Sequence, residues 1–349
     1  MRYRADLPAD SAIRRILVIK WSAMGDVILA TALFEDIARA FPGRELHLNT
    51  LPVWQGLFAE DTRFQYILAI DLRDSSQQVT AFHEWLRRVR NQHYDLVIDL
   101  QCNDRSRLLL SVLWLSGCRI PYCLGNQQQF PYNIAPAELP KPAHTIARGR
   151  AALWAGNIPA TTLRPVLHIP GSHYARAWEL MTANDLLPDQ FAVFLPGCNA
   201  NGYLKRWGAA RYAALANRLH QAGLGRIVLI GGPDEIEECQ RIAQACGPWL
   251  INLCGQTAIL DIPPLCEPAR FIVANDTGVA HLAAATATPM LVLCGPTDPR
   301  RVKPLGDNVV TLQADLPCIN CYRKTCSHHS CMAMLTPSLV FRHLRELVY

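Results

Sequence analysis

Residues 15–41, RILVIKWSAMGDVILATALFEDIARAF, contain a short strand, a loop and a helix in one continuous stretch. The run RILVIK predicts a buried strand, and the apolar residues after Asp26 recur at helical spacing until Pro42 and Gly43 end the helix. A glycine loop between strand and helix usually binds an anion through its backbone N–H groups. The negative carboxylate of Asp26 disfavours an anion here. Either Asp26 caps the helix, or the loop binds something other than phosphate.

The same alternation continues along the whole chain. Further strands are predicted at 45–49, 66–70, 94–100, 191–196, 226–232, 249–253, 270–275 and 289–295. Helices are predicted at 79–90, 104–116, 207–222, 234–246 and 278–287 and from about residue 337. Alternating strands and helices indicate parallel sheets joined by right-handed crossovers. The segment 157–172 has three prolines and no long period, which predicts a boundary between domains 1–165 and 166–349.

The bulk composition is that of a folded protein with a mild basic bias. Half of the 349 residues are hydrophobic and 18% are charged, which excludes a disordered or fibrous chain. Residues 1–170 hold 19 Lys and Arg against 15 Asp and Glu, a surplus that suits an anionic partner such as acidic lipid or nucleic acid. The N-terminus lacks an apolar signal segment and no run approaches about 18 apolar residues, so we expect a cytoplasmic protein.

The loop NDTGVAH, 275–281, leaves a predicted strand and enters a helix. Asp276 or Thr277 can cap that helix, Gly278 lets a ligand approach the backbone, and His281 lies one turn further on. Free N–H groups and the positive end of the helix dipole suit an anion. An ordinary capped helix with a buried histidine explains the heptapeptide equally well.

Two more loops follow strands of the second half. LKRWG, 204–208, offers Lys205 to a diphosphate, and GGPDE, 231–235, offers Glu235 to a ribose hydroxyl. A solvated turn and a first-turn acid that complements the helix dipole are the plainer alternatives. Because the carboxyl ends of parallel strands meet at one edge of a sheet, the three loops together predict a nucleotide site.

In their order along the chain, SAMGDVILAT, LKRWG, GGPDE and NDTGVAH resemble the motifs of the lipopolysaccharide heptosyltransferases, glycosyltransferase family 9. The resemblance runs from about Arg15 to the last helix. It implies the α/β GT-B architecture, with two facing Rossmann-like domains, parallel sheets and an interdomain cleft. It also implies metal-independent, inverting transfer of a sugar, heptose from ADP-heptose, to a lipopolysaccharide core or related lipid-linked acceptor.

The resemblance also implies roles for single residues. Asp26 matches the catalytic base and Lys205 the catalytic lysine that binds the diphosphate. Glu235 matches the acid that contacts the nucleoside. The loop that holds the donor sugar and diphosphate is matched by Asp276, Thr277, Gly278 and His281.

The partners follow from the same resemblance. Domain 1–165 is expected to bind an anionic lipid-linked saccharide acceptor, and domain 166–349 an ADP-sugar. We expect peripheral contact with the inner face of the cytoplasmic membrane, no binding of nucleic acid, and no cofactor for catalysis.

Near the end of the chain, a C-x2-C-x4-C-x4-C array is formed by Cys318, Cys321, Cys326 and Cys331. Four thiolates at this spacing can close a tetrahedral zinc or iron site, and His328 and His329 offer substitutes. Free or oxidised thiols are the alternative. A metal here is predicted to be structural.

Two other functions also fit the sequence. A nucleotide-sugar epimerase can share the two-domain architecture, and the cysteine array is compatible with a metal-knuckle protein that binds nucleic acid. A NAD dehydrogenase and a P-loop NTPase are excluded, because neither G-x-G-x-x-G after a first strand nor G-x-x-x-x-G-K-[ST] occurs.

Overall fold

The computed structural model describes residues 6–72, 78–139, 144–198 and 200–348. The chain folds into two compact units. Unit 1 consists of Met1–Thr162 and Val166–His168, and unit 2 of Leu163–Pro165 and Ile169–Tyr349. The division of the chain between the units therefore falls in the proline-rich segment.

Unit 1 is a five-stranded parallel sheet with helices between the strands, in the order β3-β2-β1-β4-β5. The strands are β1 Arg15–Ile19, β2 Glu45–Thr50, β3 Tyr66–Ala69, β4 Leu96–Asp99 and β5 Tyr122–Leu124. The α-helices are α1 Met24–Ala40, α2 Gln78–Asn91, α3 Asp104–Leu115 and α4 Thr145–Ala155, and Pro52–Leu57 is a 3-10 helix. The strand order changes direction at β1 and β4, where sheets of this kind bind ligands beyond the strand ends.

Unit 2 is a six-stranded parallel sheet in the order β11-β10-β9-β6-β7-β8. The strands are β6 Phe191–Leu195, β7 Arg226–Leu229, β8 Leu250–Asn252, β9 Phe271–Asn275, β10 Met290–Cys294 and β11 Val309–Gln313. The α-helices are α5 Gly171–Ala183, α6 Ala209–Gln221, α7 Ile236–Gln244, α8 Ile262–Cys266, α9 Gly278–Ala283, α10 Pro299–Val302, α11 Ser330–Ala333 and α12 Pro337–Val348. Three 3-10 helices cover Ala200–Lys205, Pro233–Glu235 and Ile259–Asp261. The strand order of this unit again reverses beside its first strand, between β6 and β9.

The predicted α/β class with parallel sheets is confirmed, with local differences. Helix α9 ends at Ala283 rather than at residue 287, because the Thr286 hydroxyl donates to the Ala283 carbonyl at 2.8 Å. Helix α5 was not predicted, since it buries only Ala177 and Met181 and shows little apolar periodicity. Strand β11 was also missed, because it is a half-exposed edge strand. Within the described residues, no helix combines the length and apolar character needed to cross a membrane.

A buried carboxamide fixes the loop that follows β1. Asn49 of β2 accepts hydrogen bonds from the indole N–H groups of Trp21 at 2.9 Å and Trp85 at 2.8 Å. Its own amide donates to the carbonyl of Leu68 at 2.8 Å. All three side chains are at least 98% buried. Trp21 begins the loop that leads to Asp26, so this network holds the start of that loop against the sheet.

We expect Asn49→Leu to lower the free energy of unfolding by about 3 kcal/mol, because it leaves two buried indole donors without an acceptor. Urea-induced unfolding followed by tryptophan fluorescence measures the change. Asn91→Leu, at an exposed position at the end of α2, is the matched control and should stay within about 0.5 kcal/mol of the parent protein. Equal effects of the two substitutions would contradict the role given to Asn49.

Candidate active site

Asp26 lies in the first turn of α1, beyond the carboxyl end of β1. The Ala23 N–H donates to Asp26 Oδ2 at 3.3 Å, so the carboxylate caps the helix. The preceding loop is held by Gln101, whose Oε1 accepts from the backbone N–H groups of Trp21 at 3.0 Å and Ser22 at 3.2 Å. Asp26 therefore caps the helix through Oδ2, and its other oxygen, Oδ1, can contact another partner.

Asp26 lines a cavity of about 220 Å³ inside unit 1. Polar side chains from several elements share this cavity, among them Lys20, Asp99, Gln101 and Arg148. Such a mixture of charged and amide groups is suited to a polar ligand and not to an apolar one.

Asp99, at the end of β4, is fully buried next to this cavity. The Tyr132 hydroxyl donates to its Oδ2 at 2.6 Å, and the N–H groups of Gln101 and Cys102 donate to its Oδ1 at 2.9 Å. Burial raises the pKa of Asp99, and these hydrogen bonds oppose the rise. Asp99 was not among the predicted site residues, although an aspartate that ends an apolar strand is a recognisable signal.

In unit 2, one carboxylate oxygen joins two loops. Asp276 Oδ2 accepts from Lys205 Nζ at 2.8 Å and from the Thr297 hydroxyl at 2.6 Å. Asp276 is 3% exposed, whereas the Lys205 side chain is 29% exposed. The ammonium is thus anchored by a buried carboxylate, on a side chain that is partly exposed to solvent.

Asn275, the residue before Asp276, holds the neighbouring segments together through its side-chain amide. Asn275 Oδ1 accepts from the Trp207 N–H at 3.3 Å and from the Tyr212 hydroxyl at 3.1 Å, and Nδ2 donates to the carbonyl of Pro196. The ends of β6 and β9 and the segment after Lys205 are therefore tied together by buried hydrogen bonds.

Glu235 packs over the end of β6. Its Oε2 accepts from the Gly232 N–H at 2.5 Å, and only 9% of the residue is exposed. A Cβ atom at Gly197 would overlap the Glu235 side chain, so the close approach requires glycine.

The charged side chains of these loops lie near one buried group, the Cys198 thiol. Burial raises its pKa, and the charges of Lys205, Asp276, Arg206 and Glu235 all act on it. The prediction that the loops after β6, β7 and β9 meet at one sheet edge is therefore confirmed.

The remaining predicted residues of the NDTGVAH loop lie where the capping pattern places them. Thr277 caps α9 and its hydroxyl accepts from the Ala280 N–H at 3.4 Å. Gly278 is the first residue of α9, and His281 is buried within it.

Two assignments differ from a simple reading of the motifs. Arg206, the neighbour of Lys205 in LKRWG, binds Glu238 at 3.1 Å and the Cys198 carbonyl at 2.6 Å, so it supports the loop. Thr297, which binds Asp276, was not selected from the sequence. Its position after strand β10, in GPTD, follows the same strand-end rule as the other loops.

The four cysteines of the array line a second cavity of about 250 Å³. Residues 200–348 are all described, and no group of three or more His, Cys, Asp or Glu side chains there is arranged to hold a metal ion. Cys318 and Cys321 are exposed, and all four thiols are free. The arrangement does not support the predicted structural metal.

The histidines of this segment are engaged elsewhere. His329 Nε2 pairs with the Leu204 carbonyl at 2.7 Å, and His328 Nδ1 pairs with Ser330 Oγ at 2.9 Å. The Tyr322 N–H donates to the Pro296 carbonyl at 3.0 Å. The cysteine segment therefore packs against two loops of the site, those that carry Lys205 and Thr297.

Comparison with known proteins places this geometry in a family. The family model of glycosyltransferase family 9 (heptosyltransferase) matches residues 82–332. Lipopolysaccharide heptosyltransferase 1 of Pseudomonas aeruginosa is 28% identical over 335 residues, which cover 90% of this chain and 88% of that protein.

Solved structures share the fold. The family 9 glycosyl transferase from Veillonella parvula superimposes with a TM-score of 0.80 at 20% identity, over 96% of this chain and 97% of that one. An E. coli heptosyltransferase with ADP gives 0.70 at 22% identity, over 95% and 99%.

The structure of UDP-GlcNAc 2-epimerase from Methanocaldococcus jannaschii is more distant, with a TM-score of 0.50 at 12% identity over 85% of this chain and 88% of that one. The family model covers well over half of the chain and includes the LKRWG, GGPDE and NDTGVAH motifs. The chain belongs to glycosyltransferase family 9, the heptosyltransferases, and is a glycosyltransferase.

Proposed function

We propose that this enzyme transfers heptose from ADP-heptose, with inversion, to a lipopolysaccharide core or related lipid-linked acceptor. The observation that carries the proposal is the cluster of Lys205, Asp276 and Thr297 at the sheet edge of unit 2. An ammonium that is held by a buried carboxylate, on a partly exposed side chain, suits a diphosphate leaving group. The names of the heptosyltransferase relatives support heptose as the sugar.

In this proposal, unit 2 binds the donor. Lys205 has three N–H donors, of which Asp276 takes one, so the others are available to the diphosphate. Glu235 keeps a carboxylate oxygen for the ribose after Gly232 has used Oε2. Thr277, Gly278 and His281 belong to the same donor loop.

Unit 1 is proposed to bind the acceptor and to supply the base. The acceptor oxygen attacks the anomeric carbon, the bond from that carbon to ADP breaks, and the acceptor proton passes to Asp26. Because Oδ2 caps α1, the proton is assigned to Oδ1. Lys205 stabilises the negative charge that develops on the departing diphosphate.

The acceptor is proposed to be anionic and held at the inner face of the cytoplasmic membrane. Support comes from an exposed group of apolar and basic side chains on unit 1. Leu115 is 71% exposed, and the Trp114 ring lies 5.2 Å from the Phe130 ring and 4.9 Å from the Arg119 guanidinium carbon. Aromatic and basic groups together suit peripheral contact with anionic lipid.

Asp26→Asn should lower kcat for transfer by about 10³-fold, because asparagine cannot accept the acceptor proton. Its side-chain oxygen can still accept from Ala23, so the Tm and the affinity for ADP should not change. Asp104→Asn, in the first turn of α3 with a side chain 97% exposed, is the matched control and should keep full activity. Full activity of Asp26→Asn would remove Asp26 as the base.

Lys205→Met should weaken ADP binding about 10- to 100-fold, since a charge-assisted hydrogen bond contributes about 1.5–3 kcal/mol. Isothermal titration calorimetry measures the dissociation constant. Lys324→Met, an exposed cation of the same unit, should bind ADP like the parent protein. The diphosphate role is lost if both variants bind equally.

ADP should raise the Tm of the enzyme, whereas UDP and GDP at the same concentration should not. At 100 times its dissociation constant, a nucleotide stabilises the folded state by about 2.7 kcal/mol. Stabilisation by UDP instead of ADP would contradict the proposed donor.

Incubation with ADP-heptose alone tests the epimerase alternative, because a transferase leaves the donor sugar unchanged without an acceptor.

A further inference from the structure

Two thiols of unit 2 are in contact beside the GGPDE loop. Cys239 lies in α7 and is fully buried, whereas Cys254 follows β8 and is half-buried. The two side chains are hydrogen-bonded to each other, and both thiols are free. Cys254 also packs against the hydrophobic core that contains Cys239. The pair therefore has the side-chain contact that a disulfide bond requires.

The two thiols differ in reactivity. The hydrogen bond with Cys239 lowers the pKa of Cys254, against the effects of burial and of the Glu235 charge. The hydrogen bond with Cys254, together with burial, raises the pKa of Cys239. Oxidants react with the thiolate, and an accessible thiol of low pKa reacts first. Cys254 is therefore the thiol that an oxidant meets, and Cys239 is the thiol that can close a disulfide with it.

The Cys254 thiol also holds the backbone of the GGPDE loop. It donates to the Gly232 carbonyl at 3.3 Å, and the neighbouring Gly255 N–H donates to the Gly231 carbonyl at 2.9 Å. The N–H of the same Gly232 donates to Glu235 Oε2 at 2.5 Å. A change at Cys254 therefore reaches the Glu235 carboxylate through a single glycine.

We propose that Cys254 and Cys239 form an oxidation site that reacts with hydrogen peroxide, and that the resulting disulfide weakens nucleotide binding. The effect on the nucleotide rests on the proposed function, since it takes Glu235 to contact the nucleoside. The formation of the disulfide does not depend on that role.

The reaction is balanced between one peroxide and two thiols. The Cys254 sulphur attacks one peroxide oxygen, the O–O bond breaks, and the departing hydroxide takes the Cys254 proton to form water. Cys254 is now a sulfenic acid. The Cys239 sulphur then attacks the Cys254 sulphur, the S–O bond breaks, and the departing hydroxide takes the Cys239 proton. Two thiols are oxidised to one disulfide, and one peroxide is reduced to two waters.

The disulfide changes the loop more than the helix. Cys239 is fixed in the core, and a disulfide brings the two sulphurs to about 2.05 Å, so the Cys254 sulphur moves towards α7. It then has no hydrogen to donate to the Gly232 carbonyl. The loop that carries Glu235 loses this contact, and we expect a lower affinity for ADP. A dithiol reductant reverses the change by thiol–disulfide exchange.

The test compares reduced protein with protein treated with a small excess of hydrogen peroxide. Peptide mass spectrometry should find a link between Cys239 and Cys254 that dithiothreitol removes. Isothermal titration calorimetry should give a dissociation constant for ADP about 3- to 10-fold higher after oxidation, as expected for the loss of one supporting hydrogen bond. Dithiothreitol should restore the original value.

Two variants separate the steps. Cys254→Ser keeps a hydroxyl that can donate to Gly232, so its affinity for ADP should be the same before and after peroxide. Cys239→Ala removes the second thiol, so the sulfenic acid on Cys254 should persist and be labelled by dimedone. Because Cys239 is fully buried, Cys254→Ser alone decides the matter if Cys239→Ala does not fold.

Cys246→Ser is the matched control. Cys246 is a half-buried thiol of the same unit, near the end of α7, and it lies against Asn217 and the Ala213 carbonyl. Its replacement should leave both the link and the loss of ADP affinity on oxidation as in the parent protein.

Two results overturn the proposal. One is the absence of a link between Cys239 and Cys254 after oxidation. The other is an equal loss of ADP affinity in Cys254→Ser and the parent protein, which would assign the effect to other thiols, such as those of the array 318–331. A link that leaves the affinity for ADP unchanged overturns the effect on the nucleotide.

Failure of the proposed function gives a different result. A protein that forms the link but binds no ADP in either state overturns the proposed donor site and keeps the oxidation site. A protein that binds ADP equally before and after peroxide, without the link, overturns the oxidation site and keeps the donor site.

Discussion

The cluster that we propose to bind the donor depends on one buried carboxylate oxygen, Asp276 Oδ2, which accepts from Lys205 and Thr297 at once. Those residues follow different strands, so the oxygen joins loops that the sequence separates by about 90 positions. A charge this deeply buried needs both donors. The same contact orients Lys205 within the site that we propose for the diphosphate.

Each unit supports its functional loop with a buried asparagine. Asn49 holds the tryptophan that begins the Asp26 loop, and Asn275 holds the segment after Lys205. An amide can accept and donate at the same time without bringing a charge into the core. Each sheet thus uses a neutral amide to support its loop, while the residues that we propose to act on the substrates, Asp26 in one unit and Lys205 in the other, are ionisable.

Sequence reasoning succeeded where a property is local and failed where it depends on packing. A strand followed by a polar loop and a helix identifies Asp26, Lys205, Glu235 and Asp276 as strand-end residues, and the sheet topology then brings the last three together. The four thiols line one cavity, but no group of three or more His, Cys, Asp or Glu side chains among the described residues is arranged to hold a metal ion, so the predicted structural metal is unsupported. The contact of His329 with the Leu204 carbonyl joins residues 125 positions apart, which no short pattern records.

Gly197 has a consequence for how this enzyme can diverge from its relatives. A methyl group at that position would occupy the space of the Glu235 side chain, although Gly197 itself offers no side chain to a ligand. Any lineage that acquires a larger residue there must also move or shorten the Glu235 side chain. Under the nucleotide role that we propose for Glu235, attempts to engineer a new nucleotide preference have to change position 235 before position 197 can accept a side chain.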